Sequence, residues 1–186
     1  MTLQAPPPSP AKSSMTPIII VAVVGAIVIG VVFVGGILAA LGVYGARRYL
    51  ANAKAAEGKN AVAMIARGVV SCAAREDAIH GAVGPRGLPP SSHKVPASLA
   101  QVSGKKYMST ASDWTGDPAF ACAAFEMSTP QYFQYQWELT KPGKEGVVHA
   151  VADLDGDGSP DILLDVVVTC SAPGDCSVGP LSETHE

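Results

Sequence analysis

The densest run of chemistry-bearing side chains is Asp153-Leu154-Asp155-Gly156-Asp157-Gly158-Ser159-Pro160-Asp161, four carboxylates in nine residues. Counted from Asp153, the acids fall at positions 1, 3, 5 and 9 of a calcium-type loop, with Gly158 at position 6 for the sharp turn and the Ser159 carbonyl at position 7. Hard oxygen donors at this spacing suit Ca2+, and carboxylates so crowded repel one another unless a cation neutralises them. The candidate metal ligands are therefore Asp153, Asp155, Asp157, Ser159 and Asp161. Position 12, where an EF-hand places a bidentate Glu, is Leu164. A solvated Asp-Gly turn uses the same residue types and stands as the alternative.

No other constellation reaches a mechanism. His80, His93, His149 and His185 are scattered, without a Cys or second His at metal spacing. The chain contains no Gly-x-Ser-x-Gly, phosphate-cradling glycine loop or Cys-x-x-Cys. Neither an enzyme nor a small-molecule substrate is expected. A formal charge of -3 argues against nucleic acid as a partner, since phosphate affinity needs a surplus of Lys and Arg.

The acidic loop must be held by what flanks it. Val147 to Ala152 and Ile162 to Thr169, rich in Val, Ile and Leu, read as strands on either side. Gln131 to Leu139 alternates, with Phe133, Tyr135, Trp137 and Leu139 on one face and Gln134, Gln136 and Glu138 on the other. Ala119 to Met127 reads as a further strand before it. Short connections at Ser128-Thr129-Pro130 and Lys141-Pro142-Gly143-Lys144 join these runs into a four-stranded antiparallel meander. Strands on both sides of the acidic loop make it resemble the hairpin calcium loops of integrin-type repeats.

Upstream the character changes. The chain is 48% apolar and 16% charged over 186 residues, and much of the apolar surplus lies in one place. From Ile18 to Tyr44 all 27 residues are aliphatic, Gly, Phe or Tyr. As a helix this segment is roughly 40 Å long, more than the ~30 Å of bilayer hydrocarbon. It is also far longer than the h-region of a signal peptide, although Ala51-Asn52-Ala53 offers a small-x-small cleavage triplet. Membrane lipid is thus the first expected partner. Residues 1–17, with five prolines, read as a disordered tail.

The helical pattern continues past the apolar segment to about Asp77. Leu50, Ala53, Ala61, Met64 or Ile65, Gly68, Cys72 and Ile79 mark an apolar stripe, which Glu57 interrupts. Gly45 and Gly58 each weaken a helix by roughly 1 kcal/mol relative to Ala, so a bend is expected there. The aromatic strand face is expected to bury against this amphipathic half. His80 to Pro118 reads as a long irregular stretch rich in Gly and Pro.

Four cysteines allow three pairings. The turn-rich Ser-Ala-Pro-Gly-Asp between Cys170 and Cys176 favours a local bridge, with Cys72 and Cys122 as the second pair. Four reduced, buried thiols are the alternative.

Taken with Ile37-Leu38-Ala39-Ala40, Tyr44, Arg47, Arg48, Tyr49 and Ala53-Lys54-Ala55-Ala56-Glu57, this organisation resembles the type IV pilins and pseudopilins of Gram-negative bacteria. Lys105-Lys106-Tyr107, Ser112-Asp113-Trp114 and Pro130-Gln131-Tyr132-Phe133-Gln134-Tyr135 are similar to stretches of such proteins. The resemblance implies an α+β fold: a long N-terminal helix, membrane-spanning in its first half, packed on a four-stranded antiparallel sheet. It also implies a transmembrane helix over 18–44, a pilin-like extracytoplasmic domain over 45–186, and other pilin or pseudopilin subunits as partners. The chain departs from the family at the front. Pilins carry a basic leader ending in Gly and a Glu near the start of the helix; here Ser13 to Pro17 shows no processing signature and the first acidic residue is Glu57. Fold therefore transfers better than polymerisation, and a non-polymerising extracytoplasmic binding module is the second expectation. Arg47, Arg48, Lys54 and Lys59 after the apolar segment favour a cytoplasmic C-terminal part. Disulfide chemistry and the resemblance outweigh them and place it in the periplasm or on the cell surface, anchored by a single pass through the inner membrane.

Overall fold

The computed structural model describes residues 16–75 and 87–185. The Pro-rich segment before Thr16, Ile79 and His80 lie outside the described residues. The elements are helix α1 (Thr16–Ala74), a 3-10 turn (Leu99–Gln101), short helices α2 (Ala111–Thr115) and α3 (Pro118–Cys122), and strands β1 (Gln134–Lys141), β2 (Glu145–Ala152), β3 (Ile162–Ala172) and β4 (Asp175–His185). The chain divides into two compact units between Arg48 and Tyr49.

The first unit is the apolar half of α1. Its window Ile29–Ala46 has a mean hydropathy of 2.1, and none of it is buried. A core helix of a soluble protein hides its apolar side chains; this one leaves Ile29, Val31, Val32, Phe33, Val34, Leu38 and Leu41 exposed. The segment is long and apolar enough to cross a membrane.

The second unit is built around a four-stranded antiparallel sheet in the order β1-β2-β3-β4. Alternation puts Tyr135, Trp137, Val148, Ala150, Ala152, Leu164, Val166 and Val168 on the buried face. The rest of α1 supplies the other side of the core through Ala55, Ala61, Val62, Ile65, Ala66, Val69, Cys72 and Ala73. This stripe keeps Ala61, Ile65 and Cys72 of the expected one but leaves out Leu50 and Ala53, which are exposed. Leu50 is 57% exposed, Ile65 rather than the 54% exposed Met64 turns inward, and Gly58 is buried against Leu164 and Phe133. A Cβ at position 58 would lie 2.8 Å from Leu164 Cδ1 and Phe133 Cζ, and one at position 68 only 2.2 Å from the Ala123 carbonyl oxygen. Gly58 and Gly68 thus set the approach of α1 to the sheet and to the α3 region, and α1 continues unbroken through Gly45 and Gly58.

The meander exists, but with a different membership. Ala119 to Met127 is not a strand: Pro118 to Cys122 forms α3, because Asp117 caps it, accepting the amides of Ala119 at 2.8 Å and Phe120 at 3.2 Å, with Pro118 at the first helical position. The fourth strand is instead β4. It pairs with β3 through a register in which Cys170 stands opposite Cys176, and shifts register between Val166 and Val168. Both bridges, Cys72–Cys122 and Cys170–Cys176, are formed. The segment after Gly87 covers the outer edge of β1: the Ser92 amide donates to the Trp137 carbonyl, and Val95 and Tyr135 exchange both backbone bonds. Trp114 closes the core against Phe120 and Phe125 in edge-on contacts at 5.0 and 5.1 Å. β4 forms the opposite edge of the sheet, almost wholly exposed.

Candidate metal centre

The acidic loop is the connection between β2 and β3. The Asp161 amide donates to the Ala152 carbonyl at 2.8 Å, closing the base of the hairpin. Asp153, one residue beyond β2, is fully buried. Its Oδ1 accepts the Gly156 amide at 2.7 Å; its Oδ2 accepts the Gly158 amide at 2.9 Å and the Ser103 hydroxyl at 2.5 Å. The Gly104 amide donates to the Asp153 carbonyl at 2.9 Å, so the chain around residue 103 braces the loop from outside. Gly158 takes a φ of +95°, the left-handed backbone that the sharp turn at position 6 requires.

Asp161 folds back across the loop. Its Oδ2 accepts the amides of Leu154 and Asp155, the latter at 3.1 Å. Asp155 Oδ1 accepts the Asp157 amide at 3.1 Å, and Asp157 Oδ1 the Ser159 amide at 2.7 Å. One oxygen from each of Asp153, Asp155 and Asp161 lies within 4.8 Å of the others, while Asp157 and Ser159 are exposed and outside this trio. Two oxygens bound to one cation at ~2.4 Å are at most twice that distance apart, and the trio meets that limit. Asp155 Oδ2 and Asp161 Oδ1 carry no hydrogen bond among the described residues, leaving lone pairs for such an ion. The cluster can therefore hold a metal ion.

The Ser103 hydroxyl bond holds the Asp153 carboxyl below the usual Asp range, against the opposing effect of burial and with help from the amides of Gly156, Gly158 and Asp157. Asp153 is thus ionised throughout the neutral range, as a metal ligand must be.

A second polar cluster escaped the sequence reading. On the outer sheet face His149 Nδ1 stands 2.7 Å from Asp165 Oδ1, and Nε2 stands 3.3 Å from Glu138 Oε2. They border a groove of about 340 Å3 with Lys94, Gln134, Gln136, Val151 and Leu163. Only the register, which pairs His149 with both Gln136 and Asp165, brings these groups together. His93 is fully engaged elsewhere, with Nδ1 2.7 Å from Asp117 Oδ2 and Nε2 3.0 Å from the Asp113 carbonyl.

Comparison of the chain with family models, curated proteins and solved structures gave no match.

Proposed function

We propose that this chain is a membrane-anchored, pilin-like structural subunit of a type IV pilus or type II secretion type assembly, with an extracytoplasmic domain whose β2–β3 hairpin is stabilised by Ca2+. The observation that carries this reading is α1: one helix with a bare, span-length apolar half and a second half buried beneath a four-stranded antiparallel sheet. A subunit of that design is anchored before assembly and offers the same apolar surface to neighbours afterwards. Two disulfides support an oxidising compartment for the sheet domain. For the hairpin, the three carboxylates lie close enough to share one ion, and their oxygen chemistry suits a hard cation over a soft one.

The absence of any carboxylate within Ile29–Ala46 favours a second reading, a binding module anchored in the membrane that does not polymerise. Shearing filaments from cells separates the two. The subunit reading expects the chain in the sheared fraction; its complete retention in membranes, with filaments present, selects the second. Alkaline phosphatase fused after Glu186 tests the orientation: activity is expected, and an inactive, fully expressed fusion places the sheet domain in the cytoplasm.

A further inference from the structure

Lys54 on α1 and Lys106, in the chain before α2, each place Nζ 4.7 Å from the centroid of the Tyr132 ring. The two ammonium groups therefore lie within twice that distance of each other, and exposed Lys105 adjoins them in the chain. Neither Lys54 nor Lys106 forms an ion pair with a carboxylate among the described residues. The neighbouring acid, Glu57, has its Oε1 occupied by the Tyr132 amide at 2.7 Å. Two cations are thus gathered around one aromatic ring, with a third, exposed Lys105, next to Lys106 in the chain, a surface complementary to anionic oxygens.

The position of this surface in the chain points to the source of those oxygens. Lys54 lies eight positions beyond Ala46, the end of the apolar window, a span that reaches at most ~28 Å even fully extended. Exposed Tyr49 lies in this stretch and exposed Tyr44 just before it, and tyrosine and lysine are the residues that settle at headgroup level. We propose that Lys54 and Lys106, gathered around Tyr132, and Lys105 beside them in the chain dock on the anionic phospholipid headgroups of the membrane that the apolar half of α1 crosses. The opposing field comes from Glu57, which feels Lys106 directly but is half-buried with Oε1 engaged, and from the acidic loop, whose Gly156 lies beside Gly104. There Asp153 spends its charge on amides within the loop, and a bound cation neutralises more. This inference does not depend on whether the chain polymerises.

The full chain is reconstituted in phosphatidylcholine vesicles with or without about one third phosphatidylglycerol, and lysines are acylated with a membrane-impermeant reagent and quantified by peptide mass spectrometry. With phosphatidylglycerol, labelling of Lys54, Lys105 and Lys106 should fall about threefold relative to Lys94 and Lys144 and recover in about 0.5 M salt. Lys105→Gln with Lys106→Gln should restore labelling of Lys54. Equal labelling in both vesicles overturns the proposal, as does equal protection at Lys94 and Lys144 or protection of Lys54 that survives the double substitution. Inorganic phosphate protecting the three lysines equally in phosphatidylcholine would assign a free-anion site instead. Protection that requires calcium and persists in the double variant would assign contact through the acidic loop.

Discussion

Asp153 and Glu57 are carboxylates pushed in opposite directions by their surroundings, and pH separates them. Burial raises the Glu57 carboxyl above the usual Glu range, with the Tyr132 amide and Lys106 opposing. An acid with a raised folded-state value binds its proton more tightly in the folded chain, so stability falls as pH rises through the window between the two values. Glu57→Gln keeps an acceptor for the Tyr132 amide and removes the half-buried charge. It should raise the Tm at neutral pH and leave it unchanged below about pH 4, where both states are protonated; a lower Tm at neutral pH contradicts the assigned balance. For Asp153 the sign reverses. Its contribution is present above the ordinary Asp range and is lost as acid titrates the lowered folded-state value, so the hairpin should loosen only in strong acid. If the trio holds Ca2+, chelation lowers the Tm of the full chain in detergent, because a ligand at a hundredfold excess over Kd stabilises by about 2.7 kcal/mol. Asp155→Ala with Asp161→Ala should abolish that difference. Identical melting with chelator and with calcium in the unsubstituted chain would reduce the loop to an acidic turn.

At the level of elements, close approach decides which positions tolerate change. Gly58 faces the side-chain tips of the buried Leu164 and Phe133, whereas Gly68 faces a backbone carbonyl at shorter range, which yields less. Gly68→Ala should therefore destabilise by about 1–3 kcal/mol despite an intrinsic helix gain of about 1 kcal/mol, and Gly58→Ala should lie closer to neutral. Denaturant melts of the two variants decide it. The bridges differ as well. Cys72–Cys122 closes a span of 50 residues and Cys170–Cys176 one of 6, so chain entropy assigns about 4 kcal/mol to the first and about 2 to the second. Replacing each pair by Ala and comparing Tm tests the order. The same elements show what the sequence made legible. Strict alternation in Gln131–Leu139 and the Val-rich runs beside the acidic loop were sufficient for three strands. Asp117-Pro118 is a helix-start signal, but the apolar residues after it, Ala119 to Phe125, imitate a buried strand. In β4, Gly179-Pro180 and a polar composition conceal a strand that exists because β3 pairs with it and a disulfide ties them. The acidic loop could be read from spacing alone; the Ser103 and Gly104 braces and the His149 cluster depend on long-range placement that no local pattern carries.

For the whole molecule, the sheet closes on one side and stays open on the other. The segment containing Ser92 and Val95 seals β1, while among the described residues no strand covers the outer edge of β4. An eleven-residue open edge is a template for a foreign strand. What interrupts it is the bulge: β4 shifts register opposite Val166 to Val168, where Gly179 and Pro180 lie unpaired. A proline offers no amide to an incoming strand, and a bulge twists the ladder out of line. Pro180 therefore acts as a guard against runaway strand addition. Pro180→Thr should leave the monomer folded but shift it toward thioflavin-positive aggregates and larger species on size exclusion as concentration rises. Wherever copies of this chain are crowded together, one ring-locked nitrogen at this edge would separate ordered crowding from irreversible fibre growth.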